Sequence, residues 1–263
     1  MDHAELYRHA RYYYVAFSYR DFANELDFLV ACARRFGRGT PTSFLEVAAG
    51  PGVHALVAAA RGMRSLALDL APSMMELCAA KARAQGVTVA TMVADMTRFD
   101  VDVPVELAFN PLTSIAYLKS VDALIEHMRS VARALVPGGV YVVENNHPRD
   151  FIHREHFVPS RWTMHDDSGL TVETTWIAKA PPDFDVARQL YEAVGRYVID
   201  ESGARTTVED RAWLRMTFPA EIALAATIAG LELVAEFGDL DVDKPLDDSG
   251  WRAVSVLRKP VNG

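Results

Sequence analysis

Cysteine is scarce in this chain. Cys32 and Cys78 are the only two among 263 residues, too few for a disulfide framework and not in a zinc-ligand spacing. Each lies in an apolar or helical context, so both are expected as buried free thiols. Basic charge is also short. A net charge of -8 and a pI near 5.5 leave no cationic surplus to meet the phosphates of a nucleic acid or an anionic membrane. No apolar run approaches the length of a membrane span. The opening Met1-Asp2-His3-Ala4-Glu5 lacks a basic segment followed by an apolar core, so no signal peptide and a cytoplasmic location are expected. The acidic stretch 238–243 lacks the spacing and closing glutamate of a calcium loop, so no metal is expected there. What the chain does have is apolar residues, half of the total. At this length that supports one α/β domain with an elaboration, or two small domains.

The chain is organised around residues 44–55, Phe-Leu-Glu-Val-Ala-Ala-Gly-Pro-Gly-Val-His-Ala. Residues 43–47 read as a short buried strand and 53–60 as a helix. Between them stand Gly50 and Gly52. Glycine tolerates positive φ and lets a ligand approach the backbone. A strand, a Gly-x-Gly turn and a helix N-terminus together suit a nucleotide-like ligand. With Ala55 and Asp69 the turn also satisfies the dinucleotide fingerprint. Glu46 argues against a pyrophosphate and for a ligand with an ammonium group. Pro51 removes one N–H that a phosphate would use.

Strands and helices alternate from there. Strands are expected at 65–69, 87–94, 104–109 and 140–144. Helices are expected from Pro72 to Gly86 and over 121–135, the second closed by Pro137-Gly138-Gly139. This is the pattern of a doubly wound parallel sheet, whose ligands lie beyond the carboxyl ends of its strands. Glu46, Asp69, Asp95 and Asn110 all fall at or near such ends. The pattern breaks at about residue 145. Alternating strands at 170–178, 189–200 and 209–218, with a turn over 200–203, read as an antiparallel insertion. A helix at 220–229 and strands at 231–237 and 251–257 then complete a seven-stranded sheet whose last strand runs antiparallel. Before the first strand, a tyrosine-rich start and an amphipathic stretch over 21–36 form a helical cap, either simple packing or a lid. The expected division is 1–40 for the cap, 41–147 with 219–263 for the α/β domain, and 148–218 for the insertion, which binds substrate or mediates a homodimer.

Four motifs carry a resemblance: the Glu46 to Gly52 turn, Asp69 followed by Leu70-Ala71-Pro72-Ser73-Met74-Met75, Asp95-Met96, and Leu135 to Gly139. Together they resemble the class I S-adenosylmethionine-dependent methyltransferases. The Tyr-rich start running into Arg20-Asp21-Phe22, the segment 113–118, the insertion and Trp251-Arg252-Ala253-Val254 are similar to small-molecule enzymes of antibiotic biosynthesis, among them amino-sugar N,N-dimethyltransferases. The resemblance implies a Rossmann-like fold, S-adenosyl-L-methionine as cofactor, and methyl transfer to N or O of a natural-product intermediate by in-line attack.

It also implies roles. Glu46 accepts from the methionyl ammonium, or else caps a helix. Gly50 and Gly52 bring the backbone against the ligand. Asp69 accepts from the ribose hydroxyls, or else caps the next helix. Leu70 and Met74 sandwich adenine, or pack in the core. Asp95 accepts from the adenine amino group, with Met96 beside it, or is a turn residue. Asn110 lies near the sulfonium. Arg20 pairs with the cofactor carboxylate, or is a surface arginine. A hydroxyl acceptor gains from a general base, for which Tyr14, Tyr117, His147, His153, His156 and His165 are candidates. His147 follows the fifth strand directly, and Tyr117 is expected to face substrate. Two other readings stand beside this one: a nicotinamide-dependent oxidoreductase and a non-catalytic S-adenosylmethionine-binding protein.

Overall fold

A computed structural model describes residues 5–153, 158–180 and 182–261. Five strands form the parallel part of the main sheet: β1 (Ser43–Val47), β2 (Arg64–Asp69), β3 (Val89–Val93), β4 (Val105–Asn110) and β5 (Leu135–Asn146). Two later strands are numbered by their place in the chain. β12 (Arg252–Arg258) runs antiparallel to β5, and β11 (Glu232–Phe237) pairs on its far side. The order is β11-β12-β5-β4-β1-β2-β3. The seven strands and the antiparallel β12 are as the sequence predicts.

All five residues of β1 are buried, as befits a central strand covered on both faces. One face packs under α3 (Phe22–Phe36), α4 (Val53–Ala60) and α5 (Pro72–Gln85), through Phe44, Phe109, Val142, Leu29 and Met74. The other packs under α6 (Val121–Ala134) and α8 (Pro219–Ile228), through Leu45, Ala108, Val143, Met128 and Ile222. The chain winds outward from β1 through β2 to β3, then returns to β4 on the other side. The order therefore reverses between β1 and β4, and a crevice opens at their carboxyl ends.

One expected boundary fails at the end of α6. Pro137-Gly138-Gly139 does not follow the helix as a loop. The helix stops at Ala134 and Leu135 already pairs with Val105. The next pairing, Leu107 with Val140, absorbs the Pro-Gly-Gly as a bulge inside β5.

The insertion is a second, antiparallel sheet of order β10-β9-β7-β6. It consists of β6 (Ser160–His165), β7 (Thr171–Trp176), β9 (Leu190–Glu201) and β10 (Ala204–Arg215), with the short β8 (Phe184–Asp185) against β9. β6 was not expected from the sequence, and β10 begins five residues before its predicted start. Ser202 and Gly203 both take positive φ, the two-residue turn that suits a tight hairpin. The short N-terminal helices α1 (Glu5–Arg8) and α2 (Ala10–Ala16) pack Leu6, Val15 and Ala16 on this sheet, against Leu170, Tyr197 and Ile199. The cap thus bridges the two sheets, and α7 (Pro148–Ile152) leads from one to the other.

Candidate functional site

The turn after β1 is built around its two glycines. Gly52 has φ +68, and a Cβ there would sit 2.5 Å from Cys78 Sγ on α5 and 3.3 Å from Ala67 Cβ on β2. Gly52 therefore sets how closely α4, α5 and the sheet pack. Gly50 has φ +52, and its missing Cβ leaves room for the Tyr13 ring, which would be 3.3 Å away. The cap lies directly on the turn. Asp69, at the end of β2, accepts from Gly50 N at 2.7 Å and from Ala71 N at 2.9 Å. Its carboxylate thus shapes both the glycine turn and the entry to α5.

Glu46 lies on the α3–α4 side of the sheet and is buried. Its Oε2 accepts from Ala55 N in the first turn of α4 at 2.9 Å, and its Oε1 is 2.8 Å from His54 Nδ1. The helix-capping alternative for Glu46 is thus present in the structure. His54 Nε2 is 2.7 Å from Glu25 Oε2. Burial pushes the His54 pKa down, but the carboxylates of Glu46 and Glu25 outweigh it and raise it to about 9. Both ring nitrogens therefore donate at neutral pH, and an imidazolium stands between two carboxylates.

Glu25 links this group to a second. Arg20 Nε donates to Glu25 Oε2 at 2.9 Å, while its Nη1 and Nη2 grip Glu144 at 3.0 and 2.8 Å. Arg252 Nη1 and Leu112 N also donate to Glu144, at 2.5 and 3.0 Å. Arg252 Nε forms an ion pair with Asp239 at 3.1 Å, too poorly aligned for a hydrogen bond. Burial raises the Glu144 pKa, yet Arg20 and Arg252 bring it down to about 2. The surface-arginine alternative is corrected: Arg20 is buried, and its bidentate pair in this structure is made with Glu144. Glu144 at the end of β5 lies on the same sheet face as Glu46, close enough to take the fork.

The remaining strand-end residues divide. Asn110, fully buried, donates from Nδ2 to Val47 O at 3.0 Å, and its Oδ1 has no partner among the described residues. Asp95 is half-buried and accepts from Thr97 N and Oγ1 at 2.8 and 2.7 Å, a local turn. Met96 offers its carbonyl to His127 Nδ1. Leu70 is exposed at the mouth of the crevice, whereas Met74 is wholly within the core. Of that pair only Leu70 is exposed.

Beside the strand ends lies a cavity of about 320 Å³. Its walls are Tyr7, Tyr13 and Phe17 of the cap, Tyr117 on a 3-10 turn (Ser114–Tyr117), Asn145 and Asn146 of β5, and Trp162, Trp176, Tyr191, Tyr197 and Asp210 of the antiparallel sheet. Both Asp210 oxygens accept from Leu6 N at 3.1 Å, tying the cap to the cavity floor. Tyr117 OH lies 3.1 Å from Tyr7 OH, so Tyr117 faces the cavity. Burial, aided by neighbouring phenols, raises the Tyr7 and Tyr13 pKa well above the usual phenol value, and burial does the same for Tyr191 and Tyr197. These hydroxyls stay protonated at neutral pH.

Two expected catalytic residues are elsewhere. Tyr14 is one residue out of register from Tyr13, about 100° around the helix, and its ring carries Lys81 Nζ at 3.5 Å. His147 is buried as the N-cap of α7. Its Nδ1 accepts from Arg149 N at 3.2 Å and its Nε2 donates to Asp247 O at 2.9 Å, so both nitrogens are engaged. His153 and His165 are exposed, and His156 lies outside the described residues. No histidine stands among the described wall residues. Sequence reasoning missed His54, Glu144, Asn145 and Asp210. The polar run Glu144-Asn145-Asn146 ending an apolar strand was a usable signal, the same one that marks Asn110.

Residues 44–139 match the family described as Methyltransferase domain. The chain is 31% identical over 102 residues to a dTDP-4-amino-2,3,4,6-tetradeoxy-D-glucose N,N-dimethyltransferase of Saccharopolyspora spinosa. That alignment covers 39% of this chain and 39% of the relative, so it spans about two fifths of each. Among solved structures, an S-adenosylmethionine-dependent methyltransferase from Clostridium acetobutylicum matches with TM-score 0.78 at 16% identity, over 97% of this chain and 100% of that one. A sugar N-methyltransferase from Streptoalloteichus matches at 0.74 and 21%, over 99% and 95%. An amino pentose methyltransferase from Micromonospora echinaspora matches at 0.66 and 19%, over 98% of both. Residues 44–139 thus match a methyltransferase domain and the chain shares the fold of these structures, so the resemblance drawn from its motifs is borne out.

Proposed function

We infer that this methyltransferase-domain chain is an S-adenosyl-L-methionine-dependent enzyme that methylates the nitrogen of a small-molecule amine. The observation that carries the reading is one sheet edge. There the glycine turn, Asp69 and the unpartnered Asn110 Oδ1 stand beside an aromatic cavity whose described wall has no free general base of the imidazole or phenolate kind. A buried acceptor without a donor suits a cationic neighbour. In this reading Asp69 would accept from a ribose, Asp95 and Met96 would meet an adenine edge, and Leu70 its face. The cofactor supplies an already activated methyl group on a sulfonium. The chain's part is to hold the acceptor in line and to exclude water.

Nitrogen is favoured over oxygen because a neutral amine attacks without losing a proton first, whereas a hydroxyl gains from a base. The Saccharopolyspora relative and the Streptoalloteichus neighbour, both named as N-methyltransferases of sugars, support an amino sugar as acceptor. The antiparallel sheet and the cap would wall it in. Tyr13 lies against Gly50 of the glycine turn and, with Tyr7, lines the cavity, and both would close over bound ligands.

The test is an end-point assay with methyl-labelled S-adenosylmethionine and paired acceptors. These are the amino sugar of the Saccharopolyspora relative as its dTDP conjugate, its 4-hydroxy counterpart, and matched simple amines and alcohols. Label in the amines is expected. Label confined to the alcohols overturns nitrogen as the acceptor. Binding of S-adenosylhomocysteine without transfer to any member marks a non-catalytic binder. Tight NADH binding without S-adenosylhomocysteine binding marks an oxidoreductase.

A further inference from the structure

Asn145 has a buried side chain with half of its hydrogen bonding undone. The residue is 1% exposed and lines the cavity. Its Nδ2 donates to Thr217 O at 2.6 Å. That contact fixes the amide orientation, since a flipped side chain would set two acceptors face to face. Its Oδ1 then has no partner among the described residues. Leaving such an acceptor dry is costly, and a native buried acceptor of this kind usually awaits a water or a ligand.

Its place in the sheet says which ligand atom. Asn110 pairs with Val143, and Asn145 lies two residues farther along β5, on the same face. With about 3.3 Å of rise per residue and about 4.8 Å between strands, the two backbones are roughly 8 Å apart. Asn145 is clamped from the other side by β12, where it pairs with Ala253. Asn145, a cavity-lining residue with a buried acceptor, thus stands one step beyond the Asn110 end of the crevice. It is distinct from the ionic group of Glu46 and Glu144: Glu144 also lines the cavity, but its side chain leaves β5 on the opposite face.

Resting on the methyltransferase reading above, we propose that Asn145 positions the acceptor nitrogen, its Oδ1 taking a hydrogen bond from an N–H of the substrate amine. An amide oxygen is no base, so it holds that hydrogen and does not remove it. This suits an amine, which keeps its N–H while its lone pair attacks. The N–C bond forms as the S–C bond breaks, and the bonding pair goes to sulfur. The nitrogen becomes an ammonium that retains its hydrogens, and its extra proton passes to water. A primary amine offers two N–H groups, its monomethyl product offers one, and the neutral dimethyl product offers none. The same contact therefore limits the enzyme to two transfers.

The experiment uses the full chain and the dTDP-linked amino sugar, with its N-methyl and N,N-dimethyl forms. Wild type is expected to methylate the first two and to leave the third unchanged. Asn145→Ala is expected to raise KM for both substrates at least tenfold, to level the preference between them, and to leave S-adenosylhomocysteine affinity within twofold. Asn145→Ser, which restores a hydroxyl acceptor, should recover part of the loss. An Asn145→Ala protein with wild-type KM and preference overturns the proposal. So does a wild type that converts the N,N-dimethyl form to the quaternary product as fast as it methylates the N-methyl form. That arm needs no variant and stands even where Asn145→Ala does not fold. A chain that binds S-adenosylhomocysteine but none of the three amines also overturns the Asn145 assignment, leaving the donor reading intact. Failure to bind S-adenosylhomocysteine at all removes the donor reading instead.

Discussion

The two faces of one sheet edge are finished to different degrees. On the α3–α4 face, Glu25, Glu46, His54, Arg20, Glu144 and Arg252 form one continuous ionic group with a partner for each charge. On the other face, Asn110 and Asn145 each carry a buried acceptor with no partner among the described residues. The first arrangement makes a rigid support, locking the cap helix α3, the glycine turn and the end of β5 to one another. The second is an incomplete surface that, on the proposed function, a ligand completes. Charge alone therefore does not mark an unsatisfied group: Glu144 and Arg252 line the cavity but are paired within their own cluster, whereas the neutral amides keep an unpaired oxygen among the described residues.

The comparison breaks most severely at Glu144. Replacing it by alanine leaves Arg20 and Arg252 buried without their shared carboxylate. The loss should be about 3–5 kcal/mol in urea unfolding. A loss under about 1 kcal/mol would mean that the ionic group is not the support. Gly52→Ala comes next. A Cβ 2.5 Å from Cys78 Sγ at a φ of +68 should cost about 1–3 kcal/mol by the same measurement.

His54 sharpens the contrast through pH. Its pKa is raised from an ordinary 6.5 to about 9 by the flanking carboxylates, against burial. A raised folded-state value means that its stabilisation is fully present below about pH 6.5 and is lost as pH rises through about 9. Unfolding midpoints across pH 6 to 10 should fall accordingly in wild type and lose most of that slope in His54→Gln. Glu144 acts in the opposite direction. Lowered to about 2, it contributes above its ordinary range and loses that contribution only as pH falls through about 2. On the open side the stability effects are smallest. Tyr117→Phe removes the contact with Tyr7 at 3.1 Å on a cavity wall and should cost under about 1 kcal/mol, with its main effect on acceptor KM.

Much of this was legible in the sequence because period and punctuation are local. β1 and α4 begin and end where the apolar run and the glycines say, and the strand-end rule placed Glu46, Asp69, Asp95 and Asn110 on one edge. What was not legible is pairing across the chain. Arg20 meets Glu144 over 124 positions and His54 meets Glu25 over 29, and no spacing announces either. Tyr14 and His147 failed for a related reason. A tyrosine-rich helix does not say which ring faces inward, and a histidine before proline is as fit to cap a helix as to act as a base. β6 was missed because its polar Ser160, Arg161, Thr163 and His165 make an exposed strand, with little apolar signal to read.

If this edge holds the nucleoside of a methyl donor through Asp69 and the glycine turn, calorimetric titration with S-adenosylhomocysteine should show micromolar binding by wild type and at least a hundredfold weaker binding by the folded Asp69→Ala variant. Equal binding by the two proteins, or none by wild type, would contradict it.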